Sequence, residues 1–159
     1  MGGERGVGMS ESSGREYPQR PIVTTVACVF RGDKVLLIKR GQEPNKGHWS
    51  VPGGAINLGE KISDAVRREV REECGIEIEV VEVINVTDGI FPDESGRIWF
   101  HYVPIYILAR YVSGEAHAGS DASEVRWVIR DELDTFDLST VACENVIRAF
   151  DMARDLRFF

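Results

Sequence analysis

Apolar and polar positions along the chain recur with the spacings typical of strands and helices. A run of mostly β-branched residues over 22–30 predicts a buried strand, and the turn cluster after it leads into a second strand over 35–38. The two strands are therefore predicted to form a hairpin. Over 61–74 the apolar residues recur at helical spacing, and Gly75 is predicted to end that helix.

The rest of the chain predicts further strands and a closing helix. Gly, Pro and polar residues mark loops over 41–47, 87–97 and 114–123. Between and after these loops the pattern predicts strands over 76–86, 99–112 and 124–129, and a C-terminal helix over about 138–156. Strands on both sides of an early helix, with a second helix at the end, favour an α/β fold in which a mixed β-sheet lies between helices.

The beginning of the chain differs in composition from the rest. Residues 1–19 are rich in Gly, Ser and charged residues, so we predict a flexible N-terminal tail, of which residues 1–17 should be dispensable for turnover. Residues 20–159 are predicted to form a single domain, since 159 residues is an ordinary length for one hydrophobic core.

Hydropathy, charge and cysteine content limit the functional classes. The longest apolar stretches span about nine residues, whereas a membrane-spanning helix needs roughly 20. With no apolar leader either, a cytoplasmic protein without a membrane partner is expected. The net charge of -7 argues against a nucleic acid polymer as partner, because it would repel the phosphates. Cys28, Cys74 and Cys143 lack metal-site spacing and are predicted to be reduced packing residues.

Three carboxylates carry the clearest chemical signal. Glu69, Glu72 and Glu73 stand at i, i+3 and i+4, so a helix presents them as neighbours whose charges repel one another. A hard divalent cation, Mg²⁺ or Mn²⁺, would resolve that repulsion, and Mg²⁺ typically binds through a few carboxylates together with substrate phosphates. Gly53 and Gly54 lack a Cβ and would let the backbone approach such a ligand closely. The pattern therefore predicts a phosphate-bearing substrate.

The same segment resembles the box of the Nudix hydrolase family, G-x5-E-x7-R-E-U-x-E-E-x-G-U, where U is aliphatic. The match holds at every fixed position: Gly54, Glu60, Arg68, Glu69, Val70, Glu72, Glu73, Gly75 and Ile76. The upstream hairpin, Trp49 with Pro52, and the Glu124-x2-Trp127 pair also resemble the family framework. The resemblance covers about residues 20–135.

The resemblance implies a Nudix-type α/β/α sandwich that hydrolyses a nucleoside diphosphate linked to another group, X. It implies that Glu69, Glu72 and Glu73 are metal ligands, with the Gly54 carbonyl as an additional one. Arg68 and Glu60 would orient the box helix. Glu72 is the preferred general base, and the alternative bases from later loops are Glu115, Asp121 and Glu124.

The identity of X rests on residues outside the box. Pro92 lies 16 residues after Ile76, which resembles a marker of small ADP-ribose pyrophosphatases and favours ADP-ribose as substrate, with AMP and ribose 5-phosphate as products. Trp49, Phe91 and Glu124 are further candidates for substrate binding. Additional candidates for stacking on the base are Phe100, His101, Tyr102 and Trp127.

Two alternatives remain open at this point. One is a sanitising pyrophosphohydrolase that acts on nucleoside triphosphates, since such an enzyme needs a similar base-stacking surface. The other is a module that senses a nucleotide without hydrolysing it. The family resemblance is also compatible with a homodimer.

Overall fold

A computed structural model of the chain describes residues 14–159. Their strands and helices follow the order β1 (Ile22–Arg31), β2 (Lys34–Arg40), β3 (Trp49–Ser50), β4 (Gly53–Ala55), α1 (Ile62–Cys74), β5 (Glu77–Val86), β6 (Gly89–Pro92), β7 (Ile98–Ser113), β8 (Ala122–Ile129) and α2 (Thr140–Asp155). A short 3₁₀ helix, Arg130–Thr135, connects β8 to α2. None of the helices in this described part of the chain is long and apolar enough to cross a membrane.

The strands form one mixed sheet with β1 near its centre. β1 runs parallel to β7, whereas β2, β4, β5, β6 and β8 all pair antiparallel with their neighbours. The main order across the sheet is β3-β2-β1-β7-β5. The predicted hairpin is confirmed, because Phe30 pairs with Val35 and Arg31 with Lys34. β4 pairs with the first half of β1, which places the residues before α1 in the sheet.

The two faces of the sheet bury separate apolar clusters, one under each helix. Successive β1 residues point to opposite faces, so Ala27 and Val29 join the cluster under α1 while Cys28 and Phe30 join the one that contains α2 residues. The pairing of the other central strands repeats this alternation. Helices therefore cover both faces of the sheet, which confirms the predicted α/β sandwich with a mixed sheet.

Most element bounds agree with the sequence pattern, and one predicted loop is wrong in part. The α1 helix ends as predicted at Gly75, which adopts the left-handed conformation with φ 71°. The predicted loop over 87–97 contains a strand, β6, because its residues pair with the start of β7, with Phe91 opposite Phe100. β6 has only four residues and ends in a proline, so the alternation of apolar and polar residues that marks a strand cannot be seen in its sequence.

The predicted N-terminal tail falls mostly outside the described residues. Residues 1–13 lie outside them, and in the remainder of the predicted tail Tyr17 contacts the β6–β7 hairpin. All three cysteines are free; Cys28 and Cys74 are buried in the core and Cys143 is partly buried.

Candidate active site

A single arginine connects the loop before α1 to the helix itself. Arg68 donates from Nε and Nη2 to the two carboxylate oxygens of Glu60, at 2.8 and 2.9 Å, and from Nη2 to the Ala55 carbonyl at 3.1 Å. The backbone N–H of Asn57 also donates to Glu60. The hydrogen bonds from Arg68 lower the pKa of Glu60 to about 2. Glu60 is therefore a fixed anion that sets the position of Arg68 over the helix.

Two of the three predicted carboxylate ligands are buried on the inner side of α1. Glu69 and Glu73 are one turn apart, and only 9% and 5% of their surfaces are exposed. Burial raises the pKa of Glu69, an effect that the neighbouring Arg68 opposes. Burial also raises the pKa of Glu73 to about 8, although it accepts a hydrogen bond from the Gly53 N–H at 3.0 Å. Burial therefore disfavours the charged form of both carboxylates, which is the electrostatic condition that a bound cation relieves.

Glu72 lies at the outer edge of this pair. Its side chain is half exposed, and it accepts from Arg68 Nη1 at 3.3 Å, while the same nitrogen donates to Glu69 at 2.8 Å. Within residues 14–159, no three His, Cys, Asp or Glu side chains stand together as a ready metal cage. The donor chemistry nevertheless fits a hard divalent ion, because buried carboxylate oxygens dominate the site.

The glycine pair before α1 lets the strand backbone approach these carboxylates. A Cβ on Gly54 would meet the carboxylate of Glu69, and a Cβ on Gly53 would meet the β1 backbone at Thr25. Gly54 pairs with Thr25 in the sheet, which fixes its position beside the helix. The structure therefore brings Gly54 and Glu69 together, as the sequence analysis proposed for the metal site.

The loop over 114–123, from which the sequence analysis took two alternative bases, holds the C-terminal end of α1. Backbone N–H groups of His117, Gly119 and Ser120 donate to the carbonyls of the last helical turn, at 3.0, 2.7 and 3.3 Å. Free carbonyls at a helix end need such partners. A Cβ on Gly119 would collide with the Glu72 carbonyl, so only glycine allows this approach. In the sequence, the only signal of this close approach is the small residues around Gly119: Ala116, Ala118 and Ser120.

The alternative general bases occupy three different positions. Asp121 accepts from Gln42 at 2.8 Å, and its charge acts on the buried Glu73. Glu124 lies on β8 opposite Lys39, with an exposed side chain. Glu115 is also exposed in the loop that covers the end of α1. Of the three, Asp121 is therefore the one whose charge reaches the buried carboxylates.

A cleft of about 320 Å³ opens between the loop over 43–48 and the β6–β7 hairpin. Its hairpin wall consists of Ile90, Phe91, Pro92 and Trp99, and its loop wall includes Lys46 and His48. This size is near the lower end of the range for small-molecule sites. The structure thus brings two of the predicted substrate-binding residues, Phe91 and Pro92, into one wall.

The other aromatic candidates are placed differently. Trp49 packs edge-on against Phe136 at 5.0 Å, next to the cluster under α2, and Trp127 packs against Tyr111 at 5.8 Å. Phe100 is buried. Trp49 and Trp127 do not line the cleft, whereas Trp99, which the sequence analysis did not single out, does.

Arg40 connects the cleft to the carboxylates. Its Nε donates to the Pro44 carbonyl at 2.7 Å, so it holds the loop wall of the cleft in place. Its charge also reaches Glu73 and Tyr102, where it opposes the rise in pKa that burial causes in both groups. Arg40 therefore supports the loop wall of the cleft and also acts electrostatically on the buried Glu73.

Known proteins resemble this chain in sequence. The family model described as the NUDIX domain matches residues 20–147. An ADP-ribose pyrophosphatase of Methanocaldococcus jannaschii is 35% identical over 107 residues, which are 67% of this chain and 61% of that protein. An 8-oxo-dGDP phosphatase of Mus musculus is 33% identical over 136 residues, which are 79% of this chain and 39% of that protein. The chain spans less than two thirds of either relative.

Solved structures share the fold. An ADP-ribose pyrophosphatase of Streptococcus suis superposes with a TM-score of 0.65 at 26% identity, covering 85% of this chain and 93% of that one.

Proposed function

The chain belongs to the NUDIX family, and on that premise we propose that it is a metal-dependent hydrolase of ADP-ribose that releases AMP and ribose 5-phosphate. The observation that carries the choice of substrate is the cleft wall. Phe91, Pro92 and Trp99 line one wall of the cleft, and an apolar, aromatic wall of this kind can stack on a nucleobase. The similarity to two ADP-ribose pyrophosphatases supports the same substrate.

We propose Mg²⁺ as the ion, with Mn²⁺ as a substitute, held by Glu69, Glu72 and Glu73 together with the Gly54 carbonyl. Bound there, a divalent ion polarises phosphoryl oxygens and lowers the pKa of a coordinated water, which makes that water a nucleophile at neutral pH. The carboxylate oxygens are ligands of the type that Mg²⁺ prefers. The burial of Glu69 and Glu73 also supports a bound cation, because two adjacent buried carboxylates need a compensating charge.

The chain's own residues then have separate tasks. Arg68, fixed by the bidentate contact with Glu60, holds Glu69 and the loop before α1 in one geometry. Glu72, half exposed beside the buried pair, is the proposed general base toward the attacking water. Phe91 and Trp99 bind the base and exclude water from one side of the cleft. Trp49 and Glu124 are left with roles in packing and in the sheet edge.

One alternative substrate has support of its own. The similarity to an 8-oxo-dGDP phosphatase covers more of this chain than the similarity to the archaeal ADP-ribose pyrophosphatase. An oxidised guanine nucleotide, as diphosphate or triphosphate, would use the same aromatic wall. A module that senses nucleotides without hydrolysing them would bind in the cleft but give no products.

A product assay tests the proposal. Purified protein with Mg²⁺, and separately with Mn²⁺, is incubated with ADP-ribose, NADH, 8-oxo-dGDP, 8-oxo-dGTP, sugar nucleotides and a short capped RNA. The products are separated by anion-exchange chromatography. We expect AMP and ribose 5-phosphate from ADP-ribose, at a kcat/KM at least about tenfold above every other substrate, a margin equivalent to about 1.4 kcal/mol.

Other outcomes each contradict a different part of the proposal. Preferred hydrolysis of an 8-oxo nucleotide would replace ADP-ribose as the substrate and leave the metal site intact. Metal-independent turnover would remove the assigned role of the three glutamates. Binding without products on every substrate would support the sensing module. Localisation and a homodimer stay predictions that the panel does not address.

A further inference from the structure

The segment just before β1 is attached to the hairpin that forms one wall of the cleft. The Tyr17 N–H donates to the Trp99 carbonyl at 2.8 Å, and the Tyr17 hydroxyl donates to the Asp93 carboxylate at 2.9 Å. The guanidinium of Arg97 lies over the Tyr17 ring, 4.1 Å from its centroid. The backbone, the hydroxyl and the ring of Tyr17 therefore each contact the β6–β7 hairpin.

Asp93 connects Tyr17 to the turn of this hairpin. One carboxylate oxygen, Oδ1, accepts from the Ser95 hydroxyl at 2.7 Å and from the N–H groups of Ser95 and Arg97, both at 2.9 Å. The other oxygen, Oδ2, accepts from Tyr17. The Asp93 N–H also donates to the Arg97 carbonyl at 2.8 Å. Because one side chain both orders the turn and bonds Tyr17, the position of the turn depends on the segment before β1.

The sheet supports this part of the hairpin less than it supports the rest of β7. Pairing of β1 with β7 begins only at Tyr102, which lies opposite Ile22. Residues 98–101 of β7 pair with β6, and a two-stranded hairpin alone is only marginally stable in water. The hydrogen bond from Tyr17 to Trp99 extends the contact between β7 and the chain that leads into β1. Tyr17 therefore gives these two strands a third element of support.

The backbone of Tyr17 is consistent with a specific contact. Its φ of 49° lies in the left-handed region, which is unfavourable for a residue with a Cβ. The contacts with Trp99, Asp93 and Arg97 offset this cost. A segment without a specific docking site would relax to an ordinary conformation instead.

The supported hairpin carries the wall that the proposed function assigns to the nucleobase. The cleft lies between this hairpin wall and the loop over 43–48. Arg40 holds the loop through its hydrogen bond to the Pro44 carbonyl at 2.7 Å. Tyr17 makes the corresponding contact with the hairpin wall, through the carbonyl of Trp99. Stacking requires a ring at a defined distance from the base, so the support of the hairpin bears on binding.

We propose that Tyr17 is a positioning residue for substrate binding, which acts through Trp99 and the turn at Asp93 to hold the hairpin wall where it stacks on the nucleobase. The inference rests on the proposed function only in requiring that a base binds on this wall, and ADP-ribose and an 8-oxo nucleotide meet this requirement equally. It opposes the expectation that residues 1–17 are dispensable for turnover. A chain that begins at Pro18 should therefore behave like Tyr17→Ala.

The main test compares Tyr17→Ala and Tyr17→Phe with Tyr111→Phe. Tyr111 lies near the other end of β7, where its hydroxyl donates to the Gly114 carbonyl at 2.6 Å, so its substitution also removes one hydroxyl hydrogen bond. With the substrate that the unmodified protein hydrolyses best, Tyr17→Ala should raise KM about tenfold and change kcat less than about threefold. Tyr17→Phe, which keeps the ring and the backbone contact, should raise KM about two- to fivefold, and Tyr111→Phe should leave it unchanged.

A double substitution separates action through the wall from a general effect on the fold. If Tyr17 acts by positioning Phe91 and its neighbours, the two residues are coupled and their effects on binding do not add. Tyr17→Ala should then raise KM less than about threefold when Phe91 is already replaced by alanine, although it raises KM about tenfold in the unmodified protein. Independent effects, or a fall in kcat with KM unchanged, would overturn the proposal.

Thermal unfolding of each variant identifies a folding defect. If Tyr17→Ala unfolds near the assay temperature, Tyr17→Leu replaces it, because leucine also lacks the hydroxyl and the aromatic ring but keeps more of the side-chain volume. The comparison with Phe91→Ala is then made with this variant, and the same coupling is expected.

The outcomes distinguish this proposal from the proposed function. Efficient hydrolysis of ADP-ribose, with a KM for Tyr17→Ala within about twofold of the unmodified value, would overturn the role of Tyr17 alone. Preference for another nucleotide, with the effect on KM present, would overturn the choice of ADP-ribose alone. If no nucleotide is hydrolysed, calorimetry of ADP-ribose binding in Mg²⁺ decides. Weaker binding by Tyr17→Ala would support the role of Tyr17, and equal affinities, or no binding, would overturn it.

Discussion

The two sides of the site are built in different ways. The carboxylate side comes from one continuous segment, 53–73, in which β4 and α1 are joined by a short loop and tied by Arg68. The cleft side is assembled from parts far apart in the chain, around Tyr17, over 43–48 and over 90–99. One side is fixed by helical spacing and the other by long-range pairing.

The difference separates chemistry from specificity. On α1, the spacing of the glutamates alone determines that they are neighbours, so the metal chemistry is encoded locally. On the cleft side, the identity of the wall depends on which strand pairs with β7 and on where the loop after β2 returns. Substitutions on the first side should therefore stop the reaction, while those on the second should change what is bound.

The largest expected effect is that of Glu69→Gln. The substitution keeps the size of the side chain and removes a buried negative charge that the proposed ion needs, so kcat should fall about 100-fold or more. Thermal unfolding without metal should be unchanged or improved, because a buried carboxylate has been neutralised. Glu79→Gln makes the same chemical change at an exposed position on β5 and should keep full activity. Near-normal turnover of Glu69→Gln in saturating Mg²⁺ would show that the box glutamates are not the ligands.

Arg68 and Arg71 provide a matched pair for the next effect, since both make two contacts with one glutamate and lie on the same helix. The Arg68–Glu60 pair is largely shielded from solvent, whereas the Arg71–Glu77 pair is about half exposed. Arg68→Ala should lower the free energy of unfolding by about 1–3 kcal/mol, because it also removes the contacts to Ala55 and Glu69.

Arg71→Ala should lower the free energy of unfolding much less, because an exposed ion pair contributes little to stability. Urea unfolding of both variants measures the difference. Equal losses would show that Arg68 does not fix the loop before α1.

The sequence predicted the carboxylate side nearly completely. The helix, its left-handed end at Gly75 and the neighbouring glutamates all follow from spacing within one segment. It predicted less of the cleft. Phe91 and Pro92 were identified, but Trp99 was missed and Trp49 packs against the core cluster under α2. An aromatic residue on a strand is compatible with either location, and only the pairing of β6 with β7 decides.

Tyr17 shows the same limit more strongly. The residues around it are rich in Gly, Ser and charged side chains, and this composition predicted a flexible tail. The docking depends on Tyr17 meeting a turn 76 residues further along the chain, a contact with no local signal in the sequence. The box, in contrast, needs no contact beyond its own 23 residues to be recognised.

On the cleft side, Phe91→Ala should affect binding rather than chemistry. Loss of a stacking ring should raise KM for ADP-ribose about tenfold, while kcat stays within about threefold. Phe159→Ala is the control, because Phe159 is a half-exposed aromatic outside the cleft, at the end of the chain. Steady-state kinetics of both variants measure the effect. A fall in kcat without a change in KM would place Phe91 with the reacting groups instead of the base.

The last prediction concerns the stability of the fold as a function of pH in the absence of metal. Because burial raises the pKa of Glu73 to about 8, the folded state holds its proton more tightly than the unfolded state does. The resulting stabilisation is complete below the ordinary carboxyl pKa and is lost as pH rises toward about 8. Urea unfolding in EDTA should therefore show stability falling from pH 5 to pH 8, by less than the roughly 1.4 kcal/mol per pH unit of one whole proton. Glu73→Gln should flatten this dependence and Glu79→Gln should keep it. Adding Mg²⁺ at pH 8 should restore stability to the unmodified protein, since the ion takes over the neutralising role of the proton.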